Sequence, residues 1–149
     1  MNADGLFVYG TLQRGGRLRT WLERTNPQGT TGAFAPGRLF HLPSEGYPAL
    51  VAAPEPDGPP PGPGWVAGEF VGYEDDQELE RALADLDPLE DVEGGLFERR
   101  VLPIVLESGL RYSAWVYLFP EDRLPTLERV GVELPGGDWG PYISSAEGP

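Results

Sequence analysis

Cysteine and lysine are both missing from this 149-residue chain, and histidine occurs once, at position 41. Without cysteine there is no disulfide, no thiolate nucleophile and no thiolate metal site. One histidine excludes a His-rich metal centre. A Ser-His-Asp arrangement would have to use His41, and Ser44 is too near in sequence to be a convincing partner. His41, just before a turn, reads as a polar surface residue. The EF-hand, P-loop and dinucleotide fingerprints are absent, so no metal and no cofactor is expected. No stretch approaches the length of a membrane-spanning helix, and the apolar run Leu6–Tyr9 is too short for a signal peptide. The expected location is cytoplasmic, with no membrane partner. All 11 basic residues are arginine and stand against 24 acidic ones, for a net charge of −13. Such a surface repels polyanions, which argues against nucleic acid as a partner. A small anionic substrate stays compatible if the site supplies local donors.

What is present favours a folded domain. Glycine (21) and proline (17) together make about a quarter of the chain, yet 40% hydrophobic and 11% aromatic content is too much for a disordered one. The length suits a single domain over residues 1–149, able to bury roughly 70% of its unfolded surface. Leu6–Tyr9 reads as a short buried strand, and residues 17–25 as a short helix. Residues 30–42 look extended, GYPALV (46–51) is a turn and a strand, and WVAGEFVGY (65–73) is a strand. Residues 54–64, PEPDGPPPGPG, cannot be helix and make a surface loop with few groups able to pack. DDQELERALADLD (75–87) is the best helix. Asp75 caps it with Glu78 as capping-box partner, Leu79, Ala82, Leu83 and Leu86 form its apolar face, and Pro88 stops it. RRVLPIVL (99–106) and YSAWVYLF (112–119) form a hairpin, with Pro103 at an edge or bulge. Residues 135–149 form an irregular tail that Trp139 and Tyr142 would pin. Many strands with one clear helix give an α+β domain: a small barrel-like mixed sheet with flanking helices.

Chemistry is left to carboxylates and backbone. LFVYGTLQRGG (6–16) ends a strand in a glycine loop with backbone N–H groups, a hydroxyl and a cation, Arg14, close together. The densest acidic run is DLDPLEDVEGG (85–95). On spacing alone it reads as a solvated helix end. Acidic groups at a helix C-terminus, however, oppose the macrodipole, and Glu90 has Asp91 beside it and Asp87 nearby. Such crowding raises the pKa of the least solvated carboxylate, which is what a general base near neutral pH needs.

In order and spacing, VYGTL (8–12), GYPAL (46–50), VAGEF (66–70), LDPLE (86–90), FERR (97–100) and AWVYL (114–118) resemble the γ-glutamylcyclotransferase-like family, over residues 6 to about 142. The resemblance implies a small barrel-like mixed sheet with flanking helices. It also implies a substrate cradle at Tyr9, Gly10, Thr11 and Leu12, and Glu90 as catalytic acid/base. The implied reaction closes a γ-glutamyl amide to 5-oxoproline and frees an amine, so the partner is a small molecule. Arg14 is either an additional cation for that site or a solvated loop arginine, and Tyr117 either lines the site or is a core tyrosine with one hydrogen bond. Two positions depart from the family pattern, Asp91 for the usual glycine and Phe97 for the usual tyrosine; both bear on the substrate more than on the fold. A binding module of the same fold without activity is the alternative reading.

Overall fold

The computed structural model describes residues 3–10, 19–43, 47–88, 95 and 97–138. Its strands are β1 (Gly5–Val8), β2 (Gly29–Leu42), β3 (Tyr47–Ala52), β4 (Trp65–Gly72), β5 (Glu98–Leu106), β6 (Arg111–Leu118) and β7 (Val132–Glu133). Its α-helices are α1 (Arg19–Glu23), α2 (Asp76–Leu86) and α3 (Leu124–Val130), the last preceded by a 3-10 turn at Glu121–Arg123.

Five strands close a barrel in the order β2-β4-β1-β6-β5, and the closing contact pairs Ala33 and Phe34 of β2 with Leu106 and Val105 of β5. β1 and β6 run parallel, and every other pairing is antiparallel. β2 is long enough to serve two sheets. Its first half, from Gly29 to Pro36, pairs with β4 in the barrel, and Gly37–Leu42 pairs with β3.

Strand alternation sorts the core into two layers. Phe7, Ala33, Ala35, Val66, Leu102, Ile104, Ala114 and Val116 share one cluster drawn from all five barrel strands, which is the barrel interior. Two inner glycines leave room for its rings: a Cβ on Gly68 would stand 2.7 Å from Phe7 Cζ, and one on Gly5 2.7 Å from Phe70 Cζ. Leu6, Val8, Val71 and Tyr117 point the other way, in a cluster with Leu79, Leu83 and Leu86 of α2. β1 is therefore buried on both faces, as its uninterrupted apolar run anticipates.

α2 forms where the sequence places it. Asp75, in extended conformation, accepts the Glu78 N–H at 2.9 Å, and Leu79, Ala82, Leu83 and Leu86 are all buried. The Glu78 carboxylate, for its part, pairs with Arg81 one turn along. Pro103 sits in a part of β5 whose partner is β6, opposite Ser113, and the contact with β2 begins two residues later. That is the edge position proline tolerates.

Two expectations need correcting, and one further stretch carries elements that the sequence does not mark. His41 is buried, because β2 is covered there on both edges, by Pro48 of β3 and Val132 of β7. The stretch between β6 and residue 135 contains α3 and β7, which periodicity does not mark: α3 has seven residues and one buried side chain, Leu127. The proline-rich stretch has neither helix nor strand but is anchored. Trp65, itself buried, donates its indole N–H to the Gly58 carbonyl at 2.9 Å, and Glu55 pairs with Arg111. Trp139 and Tyr142 lie outside the described residues. Among the described residues no helix is long and apolar enough to cross a membrane.

Candidate active site

β1 ends at Val8, and the following residue, Tyr9, turns its ring into the barrel-side cluster. Its phenol donates to the Tyr117 carbonyl at 2.6 Å and accepts the Leu50 N–H at 3.3 Å. β6 and β3 meet at this point, where the Phe119 N–H also donates to the Leu50 carbonyl at 2.8 Å. One hydroxyl thus seals the junction between barrel and outer sheet. Gly10 lies against Pro48, whose Cγ would be 2.5 Å from any Cβ added there. The Tyr-Gly and Tyr-Pro elements of the sequence are in direct contact, and glycine is what permits it.

The second part of the site is built at the end of α2. Asp87 caps the helix through its N–H to the Leu83 carbonyl. Its carboxylate accepts Arg99 Nε at 3.0 Å and Nη2 at 3.2 Å, in fork geometry, and the Tyr117 phenol at 2.7 Å. The hairpin register explains why these donors arrive together, since Arg99 of β5 stands directly opposite Tyr117 of β6. The Arg99 guanidinium also stacks 4.5 Å from the Trp115 ring centroid. Asp87 and Arg99 are each about one quarter exposed (26% and 25%), so the pair is only partly screened by water. The crowding of carboxylates read from the sequence therefore loses one member, because the Asp87 charge is matched.

Phe97 is buried, with its ring 5.7 Å from that of Tyr47 and 6.1 Å, edge-on, from that of Phe119. Two cavities meet at Arg99 and Trp115. One, of about 450 Å³, is lined by Gly95, Phe97, Glu98 and Pro120 as well; the other, of about 410 Å³, lies against the α2 residues Leu79 and Leu83.

Of the residues singled out in the sequence, Tyr9, Gly10 and Tyr117 are described and belong to one contact network. The Tyr117 carbonyl takes the Tyr9 phenol, while the Tyr117 phenol reaches Asp87. Thr11, Leu12, Arg14 and Glu90, with Asp91, lie outside the described residues. The motif reading left Arg99 and Asp87 without roles. The signal for them was the hairpin, whose register brings the arginine of Phe-x-Arg across from Tyr117.

The fold is thus a five-stranded mixed barrel, on which α2 and the outer pair of β2 and β3 contribute to one apolar cluster. Residues 6–141 match the family model for γ-glutamyl cyclotransferase, AIG2-like proteins, and the chain belongs to that family. Among solved structures it is similar to YkqA from Bacillus subtilis (TM-score 0.66, 20% identity), covering 100% of this chain and 44% of that one. An AIG2-like protein from Mus musculus is similar with TM-score 0.56 and 20% identity, over 83% of this chain and 84% of that one. Allophanate hydrolase from Kluyveromyces lactis is similar over 98% of this chain and 22% of its own, with TM-score 0.61 and 18% identity. The chain thus spans less than half of the YkqA and allophanate hydrolase chains, and at these identities the likeness is one of fold. No curated protein matches the sequence closely enough to count as a relative.

Proposed function

We propose that the protein cyclises a γ-glutamyl amide, either a γ-glutamyl-amino acid or a γ-glutamylamine, to 5-oxoproline with release of the free amine. The substrate carries its own nucleophile. Its α-amine attacks the γ-carbonyl carbon, a five-membered lactam closes, and the amide C–N bond breaks. A chain without cysteine suits this chemistry, because no enzyme nucleophile is needed. Folding the substrate into near-attack geometry supplies most of the rate gain. Glu90 takes the proton from the α-ammonium and returns it to the departing amine. Backbone N–H groups at Gly10, Thr11 and Leu12 receive the α-carboxylate or the developing oxyanion. Arg14 adds positive charge, and the Tyr117 ring forms part of the wall. No cofactor enters the reaction.

The observation that carries this reading is the double role of Tyr117, added to the family match. Tyr9, which opens the glycine loop, and Asp87, three residues before Glu90, are bonded to the same residue. Three peptide units span at most about 11 Å, so the Glu90 backbone stays within that reach of Asp87. The alternative, a small-molecule binding module without turnover, draws on Phe97: the tyrosine hydroxyl usual there is missing, and the ring is buried among aromatics.

The test is a search for 5-oxoproline by mass spectrometry after incubation with γ-glutamyl-amino acids, glutathione and γ-glutamyl-lysine. Glu90→Gln should lower the rate on the best substrate by about a hundred- to ten-thousand-fold while leaving the melting temperature near that of wild type. Full activity in Glu90→Gln would end the assignment of Glu90. Binding of these amides without product would favour the module.

A further inference from the structure

We infer that Asp87 is a positioning residue: gripped by Arg99 and Tyr117, it fixes the point at which the chain leaves α2 and thereby sets the segment that carries Glu90. The inference rests on the reading of Glu90 given above, but its structural part stands by itself. A helix C-terminus is normally finished by a glycine in left-handed geometry or by basic side chains near the last carbonyls. α2 has neither. Asp87 remains right-handed at φ −52°, ψ −42°, and no basic residue lies in the last turn. An acidic cap at this end opposes the helix dipole, so its location calls for a compensating contact.

The compensation comes from the sheet. Two donors of one guanidinium and one phenol converge on a single carboxylate, from two adjacent strands. Each donor is itself held. The Arg99 guanidinium lies on Trp115, and Tyr117 is buried at 3% exposure with its carbonyl bound by Tyr9. The far end of the same segment is also fixed, because Phe97 is wedged between Tyr47 and Phe119 before β5 begins at Glu98. With its carboxylate taken up by Arg99 and Tyr117, Asp87 is assigned no contact with the reacting atoms. It acts through the backbone three residues upstream of Glu90, where a misplacement of about 1 Å costs on the order of a hundredfold in rate.

Two measurements on the full chain test this. The first is amide hydrogen exchange by mass spectrometry on wild type, Tyr117→Phe, Arg99→Lys and Asp87→Asn. Loss of the grip should speed exchange in peptides covering 88–97 by about tenfold and leave peptides within 76–83 unchanged. Unchanged exchange over 88–97 in all three variants overturns the inference, whatever their activity. Equal acceleration over 76–83 also overturns it, since that marks general loosening of the helix.

The second is lactam formation. Arg99→Lys should lower kcat by between about tenfold and a hundredfold with KM within about twofold. In a Glu90→Gln background the same substitution should change the residual rate by less than about twofold, because it acts through Glu90. An undiminished effect in that background overturns the positioning role. An inert wild type would instead defeat the cyclotransferase reading, and the exchange measurement would still decide whether Asp87 anchors the segment.

Discussion

Replacing Asp87 by asparagine sets two terms of opposite sign against each other. The shape is kept, but the charge is lost. Asparagine can still accept the Tyr117 phenol through its oxygen. Its amide group would then face Arg99 Nη2, now 3.2 Å from a carboxylate oxygen, and place donor against donor. Hydrogen bonds to charged groups contribute about 1.5–3 kcal/mol and neutral ones about 0.5–1.5 kcal/mol. The pair is about one quarter exposed, which trims the difference through screening. In the other direction, removing a negative charge from the α2 C-terminus gains about 0.3–1 kcal/mol. The balance is a net loss of about 1–2 kcal/mol. At this chain length each kcal/mol moves the midpoint by about 2–4 °C, so the melting temperature should fall by about 2–8 °C. Thermal melts by circular dichroism measure it, with Asp85→Asn in parallel. Asp85 is exposed in the last turn of α2, so its substitution should be neutral or raise the midpoint slightly. If both variants melt at or above the wild-type temperature, the dipole governs this helix end, and the contacts with Arg99 and Tyr117 contribute nothing to stability.

Gly68→Ala should destabilise by about 1–3 kcal/mol, read by denaturant unfolding, because its methyl would crowd Phe7 inside the barrel; an unchanged midpoint would show that the barrel interior has slack. Shortening residues 54–64 to a few Gly/Ser residues should lower stability by about 1–3 kcal/mol, because the buried Trp65 indole N–H loses the Gly58 carbonyl, and an unmoved thermal midpoint would show that water replaces that bond. The hydrogen bond from Arg38 holds the Glu133 carboxyl below its ordinary value, against the smaller opposing effect of desolvation. Its stabilising contribution is then complete above the unfolded value of about 4.5 and lost as pH falls through the lower folded value, so Glu133→Gln should flatten the decline in melting temperature between about pH 5 and pH 3, and an identical decline would remove the pair from acid stability.

Elements with a strong local signal were legible in the sequence. The capped helix at Asp76–Leu86 has an N-cap, a four-residue apolar face and a proline stop, and each works as read. The hairpin of β5 and β6 follows from two apolar runs around ESGLR. Closure of the barrel was legible only as a general shape, because the contact of Ala33 and Phe34 with Leu106 and Val105 joins residues more than seventy positions apart and leaves no local mark. His41 was misplaced for the same reason. Its burial needs β3 on one edge and, on the other, β7, a two-residue strand that follows a seven-residue helix. Around the site, motif reading reached Tyr9, Gly10 and Tyr117 but named no partner for the Tyr117 phenol. Its bond to Asp87 depends on where β6 lies relative to the end of α2, and no spacing in either element encodes that distance.

The same geometry gives a physical reason for the joint occurrence of Leu-Asp-x-x-Glu and an aromatic-x-Arg element in this chain. Leu86 is 1% exposed and belongs to the cluster under α2, so it fixes the rotation of the last helical turn. That rotation aims Asp87 at β5, where Arg99 meets it with two donors. Phe97, two residues before Arg99, points to the same side of the chain and buries its ring beside Tyr47, next to the proline that covers Gly10. The two elements therefore form one closed unit: an anchor at Asp87, an anchor at Phe97 to Arg99, and nine residues between Asp87 and Phe97 that include Glu90. The ring contacts of Phe97 with Tyr47 and Phe119 are made without a hydroxyl at position 97. Substitution by phenylalanine is then compatible with an intact frame, and any consequence falls on what the frame binds.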